Sequence, residues 1–378
     1  MHVLTIGSDR KLFDVHSAVS ARMIAYGKKI GALHVVVFTH TSHGYTKTKL
    51  SDEVTIYPTN SLSRWLYVYD AIRLGKRIVA GEKFVRGDSV ITCQDPFECG
   101  LVGWRIASKF RLPLHLQIHT DFLSPYFKTS FLQSIRIMLG KFLLPKAAGV
   151  RVVSQRIVSS LHHAGIRLMH PPHVLPVRID VVKPSSGAVV PKAFSSFTFT
   201  IAMASRLEKE KRIEDALEVC KKVCEVYPHS GLIIAGDGSQ KSHLEAYASR
   251  IGIADNVRFV GWVDDVSMFI ASADLFLSVS EYEGYGMSMI EAGLLGIPVV
   301  TTDVGIAHEV IINNKNGYVC PVGDKACITR SIMELIAHNE KRHEFGAALR
   351  DDIERSIPPL DEYVDMYVKD LRDILVRT

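Results

Sequence analysis

The stretch Asp274-Leu275-Phe276-Leu277-Ser278-Val279-Ser280-Glu281-Tyr282-Glu283-Gly284-Tyr285-Gly286-Met287-Ser288-Met289-Ile290-Glu291-Ala292 decides the fold. Its first six residues are the apolar run of a buried strand. A glycine-bracketed turn follows and opens a helix expected over 288–295. Small, φ-permissive residues at a helix start leave backbone N–H groups available and present the positive end of the helix dipole. Such an end seats a phosphate. Glu283 stands in the turn and Glu291 on the helix. Carboxylates beside an anion seat suit hydroxyl groups better than charge. The pattern therefore fits a ligand with a hydroxylated ring on each side of a diphosphate, as in a nucleotide-sugar.

The pattern repeats outward. Segments 2–6, 32–38, 53–57, 90–93, 114–118 and 149–153 read as apolar strands, with a crossover helix over 15–26 stopped by Gly27. A second series reads as strands over 197–203, 231–235, 257–260, 275–279, 298–301 and 317–322. Strands alternating with helices imply doubly wound parallel sheets, which bind ligands at their carboxyl ends. The Pro- and Ser-containing stretch between the series reads as a linker. The expected division is 1–182, a linker over 183–196, a second domain over 197–356, and a tail, 357–378. The tail is an amphipathic helix (Tyr363, Met366, Tyr367, Leu371, Leu375).

The 378 residues are 47% hydrophobic and 22% charged, as in a soluble globular protein. No apolar run approaches the roughly 20 residues of a membrane span, and the apolar N-terminus is too short for a signal segment. These features suggest a cytoplasmic protein. The six cysteines show no zinc-type spacing and read as free thiols. The net charge of +5 conceals an asymmetry: residues 1–180 carry 24 Lys+Arg against 11 Asp+Glu, and 181–378 carry 21 against 29. A basic half is drawn to anionic surfaces. Its interleaved aromatic and cationic residues (Arg64-Trp65, Arg73, Lys76, Arg77; Tyr126 to Lys146) suggest peripheral binding to the inner face of an anionic membrane. No nucleic-acid recognition module stands out.

Glu283-x7-Glu291 with Glu-Gly-Tyr-Gly inside it, followed by Gly296-Ile297-Pro298-Val299-Val300-Thr301-Thr302-Asp303-Val304-Gly305, resembles the retaining glycosyltransferases of the GT-B fold, family 4 (glycosyl transferases group 1). The resemblance implies two Rossmann-like doubly wound domains facing across a cleft, with the last helix crossing back to the first domain. It makes Arg206 and Lys211 the diphosphate pair, although Ser205 and Arg212 stand where the family has glycines. It assigns nucleotide-sugar binding to Gly7, Arg206, Lys211, Gly261, Glu283, Gly284, Tyr285, Gly286 and Glu291. It places His119 near the transferred sugar and acceptor, with Asp121 and Gln94-Asp95 as further acceptor-side candidates. Catalysis would rest on Glu283, His119, Arg206 and Lys211.

The expected reaction is a metal-independent hexosyl-type transfer, with retention, from a UDP- or GDP-sugar to a lipid-linked acceptor or a glycan precursor. The nucleotide-sugar is the substrate, and no separate cofactor is implied. A sugar-nucleotide epimerase of the same architecture and a non-catalytic nucleotide-sugar-binding subunit are the alternatives.

Overall fold

The computed structural model describes residues 1–128, 130–179 and 194–377. The chain divides into two compact units, Met1–Pro176 with Pro359–Thr378, and Val177–Pro358. The expected linker over 183–196 lies, but for its last three residues, outside the described residues.

The first unit holds strands β1 (His2–Gly7), β2 (Ala32–Val37), β3 (Thr48–Lys49), β4 (Val54–Pro58), β5 (Ser89–Cys93), β6 (Leu114–Ile118), β7 (Gly149–Val152) and β8 (His173–Val174). Between them run helices α1 (Ala18–Ile30), α2 (Tyr67–Gly81), α3 (Glu98–Phe110), α4 (Phe131–Leu143) and α5 (Gln155–His163). The sheet order is β3-β4-β2-β1-β5-β6-β7-β8. Every pairing is parallel except the short β3 edge, which runs antiparallel to β4. The apolar run at 2–6 and its neighbours are buried on both faces, as a parallel sheet requires. Helix α1 starts later than its apolar spacing suggests, at Ala18 behind the Ser17 cap, and a 3₁₀ turn occupies 10–13. Gly27 does not stop it. The chain stays helical through Gly27, where Val54 packs closely, and ends at Gly31 with φ 103°.

The second unit holds β9 (Phe199–Ala204), β10 (Ser230–Ala235), β11 (Val257–Gly261), β12 (Leu275–Ser278), β13 (Val299–Thr302) and β14 (Tyr318–Cys320). Its helices are α6 (Ile213–Val226), α7 (Lys241–Arg250), α8 (Val266–Ala271), α9 (Met287–Leu294), α10 (Lys325–Ala337) and α11 (Asn339–Ser356). The order β11-β10-β9-β12-β13-β14 is parallel throughout. Leu217, Cys220 and Val223 of α6 and Ile328, Ile332 and Leu335 of α10 pack into a core with Ile201, Leu232, Ile234 and Leu277. The cysteine reading needs one correction: Cys320 and Cys327 are joined by a disulfide, because β14, a tight turn and the first turn of α10 bring their Cα atoms within 5.8 Å. Cys93, Cys99 and Cys220 are buried free thiols, and Cys224 is half-buried.

The last helix, α12 (Leu360–Arg377), completes the first unit. Tyr363, Val364, Tyr367, Val368 and Leu371 form one apolar face. They pack with Met23 and Tyr26 of α1 over Val3, Val35, Val37 and Ile56. Beneath that face lies Arg151, buried in the middle of β7. Its guanidinium donates to Gln117 Oε1 (3.0 Å), to the carbonyls of Leu175 (3.0 Å) and Pro176 (3.3 Å), and to Tyr363 Oη (2.7 Å). A buried cation is tolerable only when so fully paired.

Candidate active site

Two turns at the carboxyl ends of β9 and β12 meet in the second unit. The first, 205–212, contains a 3₁₀ turn at Lys209–Lys211 and ends at Arg212 in left-handed backbone. The second, 279–286, ends at Gly286, whose φ of 94° suits glycine and starts α9 with no side-chain cap. The helix begins at Met287 rather than at 288.

Lys211 Nζ lies 2.5 Å from Glu283 Oε1, both side chains being mostly buried (12% and 21% exposed). Ser280 Oγ donates to the same carboxylate oxygen (2.9 Å), and Thr302 Oγ1 donates to the Ser280 carbonyl (2.7 Å). The backbone N–H of Glu281 donates to the Glu210 carbonyl (2.9 Å). Gly305, with φ 55°, comes so close to Tyr285 that a Cβ there would sit 2.5 Å from the Tyr285 carbonyl oxygen and 3.1 Å from Glu283 Cβ. That approach lets the 303–307 segment brace the Glu283 turn.

Sequence order had separated these groups by some seventy residues, and the fold brings Lys211 and Glu283 into contact. Arg206 differs. It is 69% exposed and its guanidinium pairs with Glu210 (2.8 Å), four residues on, rather than with the Glu283 turn. Glu291 sits on α9, part-exposed. Gly284 and Tyr285 are buried within the turn. Gly261 ends β11 with φ 75°, and its carbonyl accepts from Gly236 N (2.7 Å). The ends of β9, β10, β11 and β12 thus form one continuous rim.

In the first unit, Gln94 lies against Gly7, its Oε1 accepting from Ser8 N (3.3 Å). His119 follows β6, half-buried, with Nε2 3.3 Å from Gln117 Oε1. That oxygen already accepts from Arg151, so His119 carries its proton on Nε2. Burial of the ring, and then the positive charges of Arg151 and Arg22, depress its pKa to about 3. His119 is therefore neutral in the ordinary pH range, a hydrogen-bonding group rather than a cation. Asp121 is buried and structural in its contacts: Oδ2 accepts from Ser160 Oγ (2.8 Å) and Oδ1 from Leu123 N (3.2 Å), and burial raises its pKa. Asp95 likewise turns inward, accepting from the backbone of Phe97 (2.8 Å) and Cys99 (3.2 Å).

These shifts set a pH dependence. An unfolded His119 takes up a proton below about pH 6.5, whereas the folded one stays neutral to about pH 3. Stability contributed by His119 is full above pH 6.5 and falls as the solution is acidified. Buried His34, also depressed by burial, acts in the same sense. Asp121, raised by burial, acts oppositely and only near its own range. Urea midpoints at pH 7.5 and pH 5 are expected to drop in the wild type and to drop less in His119→Gln; equal drops would show that His119 is not the titrating group.

Among the described residues, no group of three or more His, Cys, Asp or Glu side chains is placed to hold a metal ion.

Residues 192–352 match the Glycosyl transferases group 1 family. The match lies within the second unit and covers less than half of the chain. The chain is 32% identical over 173 residues to N-acetyl-alpha-D-glucosaminyl L-malate synthase of Bacillus anthracis, covering 45% of each. It is 30% identical over 137 residues to the lipopolysaccharide core biosynthesis glycosyltransferase LpsE of Rhizobium meliloti, covering 36% of this chain and 39% of that one. It thus spans less than half the length of these curated relatives. Solved structures resemble it over nearly its whole length. Sucrose-phosphate synthase from Thermosynechococcus elongatus superposes with a TM-score of 0.79 at 16% identity, covering 100% of both chains. Anabaena HepE in complex with UDP-glucose does so with a TM-score of 0.76 at 19% identity, covering 98% of this chain and 99% of that one. The fold is therefore α/β with two Rossmann-like units of the GT-B type.

Proposed function

We propose that this protein transfers a sugar from a nucleoside-diphosphate-sugar to an acceptor hydroxyl, with retention of anomeric configuration. The observation that carries the reading is the Lys211–Glu283 contact at the carboxyl rim of the unit that matches the group 1 family. A lysine ammonium lies beside a carboxylate, at the start of a helix whose first turn no side chain caps. On this reading Lys211 leaves Glu283 for the donor diphosphate, and the exposed Arg206 closes on it from outside. Both cations stabilise charge as it builds on the leaving group, without a metal ion. The bond from the anomeric carbon to the phosphate oxygen breaks, and its electron pair departs with the diphosphate. The acceptor oxygen bonds the same face of that carbon, and its proton passes to the departing phosphate oxygen. Glu283, released by Lys211, holds sugar hydroxyls and offsets the positive charge on the ring. Glu291 holds ribose hydroxyls. Neutral His119 is assigned to hydrogen bonding at the acceptor side.

The acceptor is proposed to be a lipid-linked or cell-surface glycan precursor, met at an anionic membrane. Helices α2 and α4 start from the carboxyl edge of the first sheet. Near those starts stand exposed Trp65 (91%), Tyr69, Phe131 (83%) and Leu132, with Arg64 and Lys128 in the adjoining sequence. Apolar side chains among cations suit a headgroup layer. Among the described residues, no helix is long and apolar enough to cross a membrane.

A thermal-shift series with UDP, GDP and their sugar conjugates tests the donor reading. A nucleotide at 100 times its Kd adds about 2.7 kcal/mol to the native state. No rise with any of them would end the proposal. Flotation with phosphatidylglycerol vesicles tests the membrane reading, and salt-insensitive or absent binding would end it.

A further inference from the structure

At least three contacts among the described residues join the turn bearing Lys211 to the turn bearing Glu283. Two have been described: the Lys211–Glu283 ion pair and the hydrogen bond from Glu281 N to the Glu210 carbonyl. The third is made by Arg212. Its Nε donates to Asp215 Oδ2 in the first turn of α6 (2.6 Å), and its Nη1 to Glu281 Oε1 in the other turn (2.9 Å). The guanidinium is enclosed further by the turn after β14, where a Cβ on Gly323 would stand 3.3 Å from Nη2.

Arg212 makes these contacts from left-handed backbone (φ 47°, ψ 39°), a conformation that favours glycine. The backbone there needs no side chain; the bridge does. Of the three ties, the Lys211–Glu283 pair is the one that donor binding must break. We propose that Arg212 is a positioning residue of the donor site, keeping the two turns in register once Lys211 exchanges Glu283 for the donor diphosphate. This rests on the donor-site reading above. Nε and Nη1 of one rigid plane reach the two carboxylates in fixed directions, which a single ammonium nitrogen on a flexible stem does not reproduce, so lysine is a poor substitute.

The test uses the full chain with Arg212→Gly, Arg212→Lys, Glu281→Gln and the Arg212→Gly/Glu281→Gln double variant. Calorimetric titration reads UDP and GDP affinity. Nucleoside diphosphate release from UDP-glucose, UDP-N-acetylglucosamine and GDP-mannose reads turnover. Arg212→Gly relieves the left-handed backbone but leaves Asp215 and Glu281 without their shared cation, so its melting point is expected to fall by a few degrees with folding retained. Its UDP or GDP affinity should stay within about threefold, with turnover at saturating donor down about tenfold, since misplacement rather than binding is lost. Arg212→Lys should be intermediate. The double variant should be no slower than the slower single, because one bridge is removed only once. Glu281→Gln leaves the Arg212 backbone untouched and carries the same expectation should Arg212→Gly fail to fold. Wild-type turnover in Arg212→Gly, or additive losses in the double variant, would overturn the role of Arg212 alone. A wild type that binds neither UDP nor GDP would take the donor-site reading down with it.

Discussion

Glu283→Ala is expected to lower the proposed sugar transfer by roughly 10²–10³-fold, the usual consequence of deleting one preorganised electrostatic group at a reacting centre. Nucleoside diphosphate binding should survive and even tighten. In the free protein the Glu283 carboxylate holds Lys211 at 2.5 Å and so competes with a diphosphate for the same ammonium. Removing the carboxylate removes the competitor. Glu291→Ala should behave differently. A carboxylate that only holds ribose hydroxyls contributes equally to the ground and transition states, so its loss raises donor KM and leaves kcat nearly unchanged. Hydrogen bonds to a charged acceptor are worth about 1.5–3 kcal/mol, which corresponds to a roughly tenfold to hundredfold weaker donor. Steady-state kinetics of both variants, with UDP and GDP titrations, checks the assignment. Equal kinetic changes in the two, or weaker diphosphate binding in Glu283→Ala, would refute it.

What could be read in the sequence follows from how far apart the interacting residues lie. Glu283 and Glu291 belong to one local strand–turn–helix unit, so apolar run, glycines and spacing place them together. The strand series was legible for the same reason: parallel strands buried on both faces are short apolar runs. The site's second half was less so. The resemblance marks Lys211 as one of the diphosphate pair, but its contact with Glu283 spans 72 residues and appears only once β9 and β12 pair. In the sequence Arg212 is a departure from the family's glycine and nothing more. Its bridge to Glu281 spans 69 residues, and no periodicity signals it. Arg206, treated as the twin of Lys211, turns out to sit on the solvent side with Glu210. Gly27 misled because a glycine at a helix end and a glycine under a packing neighbour look alike in sequence; only Val54 tells them apart. The Cys320–Cys327 bond depended on a tight turn that spacing alone does not reveal. One missed residue did leave a trace. Arg151 interrupts the otherwise apolar Gly149 to Val153 run, and a charge in a strand buried on both faces calls for dedicated partners.

Those partners make Arg151 the expected weak point of the first unit. Its guanidinium serves Gln117, the carbonyls of Leu175 and Pro176, and Tyr363 Oη, and it stacks over Tyr363 and Tyr367 of α12 (5.9 and 5.5 Å to the ring centres). Tyr363 Oη donates in turn to the Pro176 carbonyl (2.9 Å), and Gln117 Nε2 to Thr92 Oγ1 (3.1 Å) and Tyr367 Oη (3.3 Å). Nearby, burial acts to raise the pKa of Asp370, and the adjoining His115 and His173 outweigh it and hold the carboxyl well below its usual range. The last helix is thus fixed to the sheet by a polar network as well as by its apolar face. Arg151→Leu takes both guanidinium donors from the Leu175 carbonyl and leaves Gln117 Oε1 to His119 and the Pro176 carbonyl to Tyr363 alone; a buried acceptor left unpaired costs about 1–3 kcal/mol, and the lost stacking on two tyrosines adds to it. A loss of about 3 kcal/mol or more is expected. For a unit near 200 residues that lowers Tm by roughly 6 °C or more, at about 2–4 °C per kcal/mol. Arg151→Lys should rescue little, since one ammonium cannot reach acceptors that a planar fork spans. Thermal unfolding of both variants checks this, alongside hydrogen exchange in α12, which should rise in Arg151→Leu. A variant melting within a degree of wild type would show that the apolar face of α12, rather than the network under it, fixes the helix.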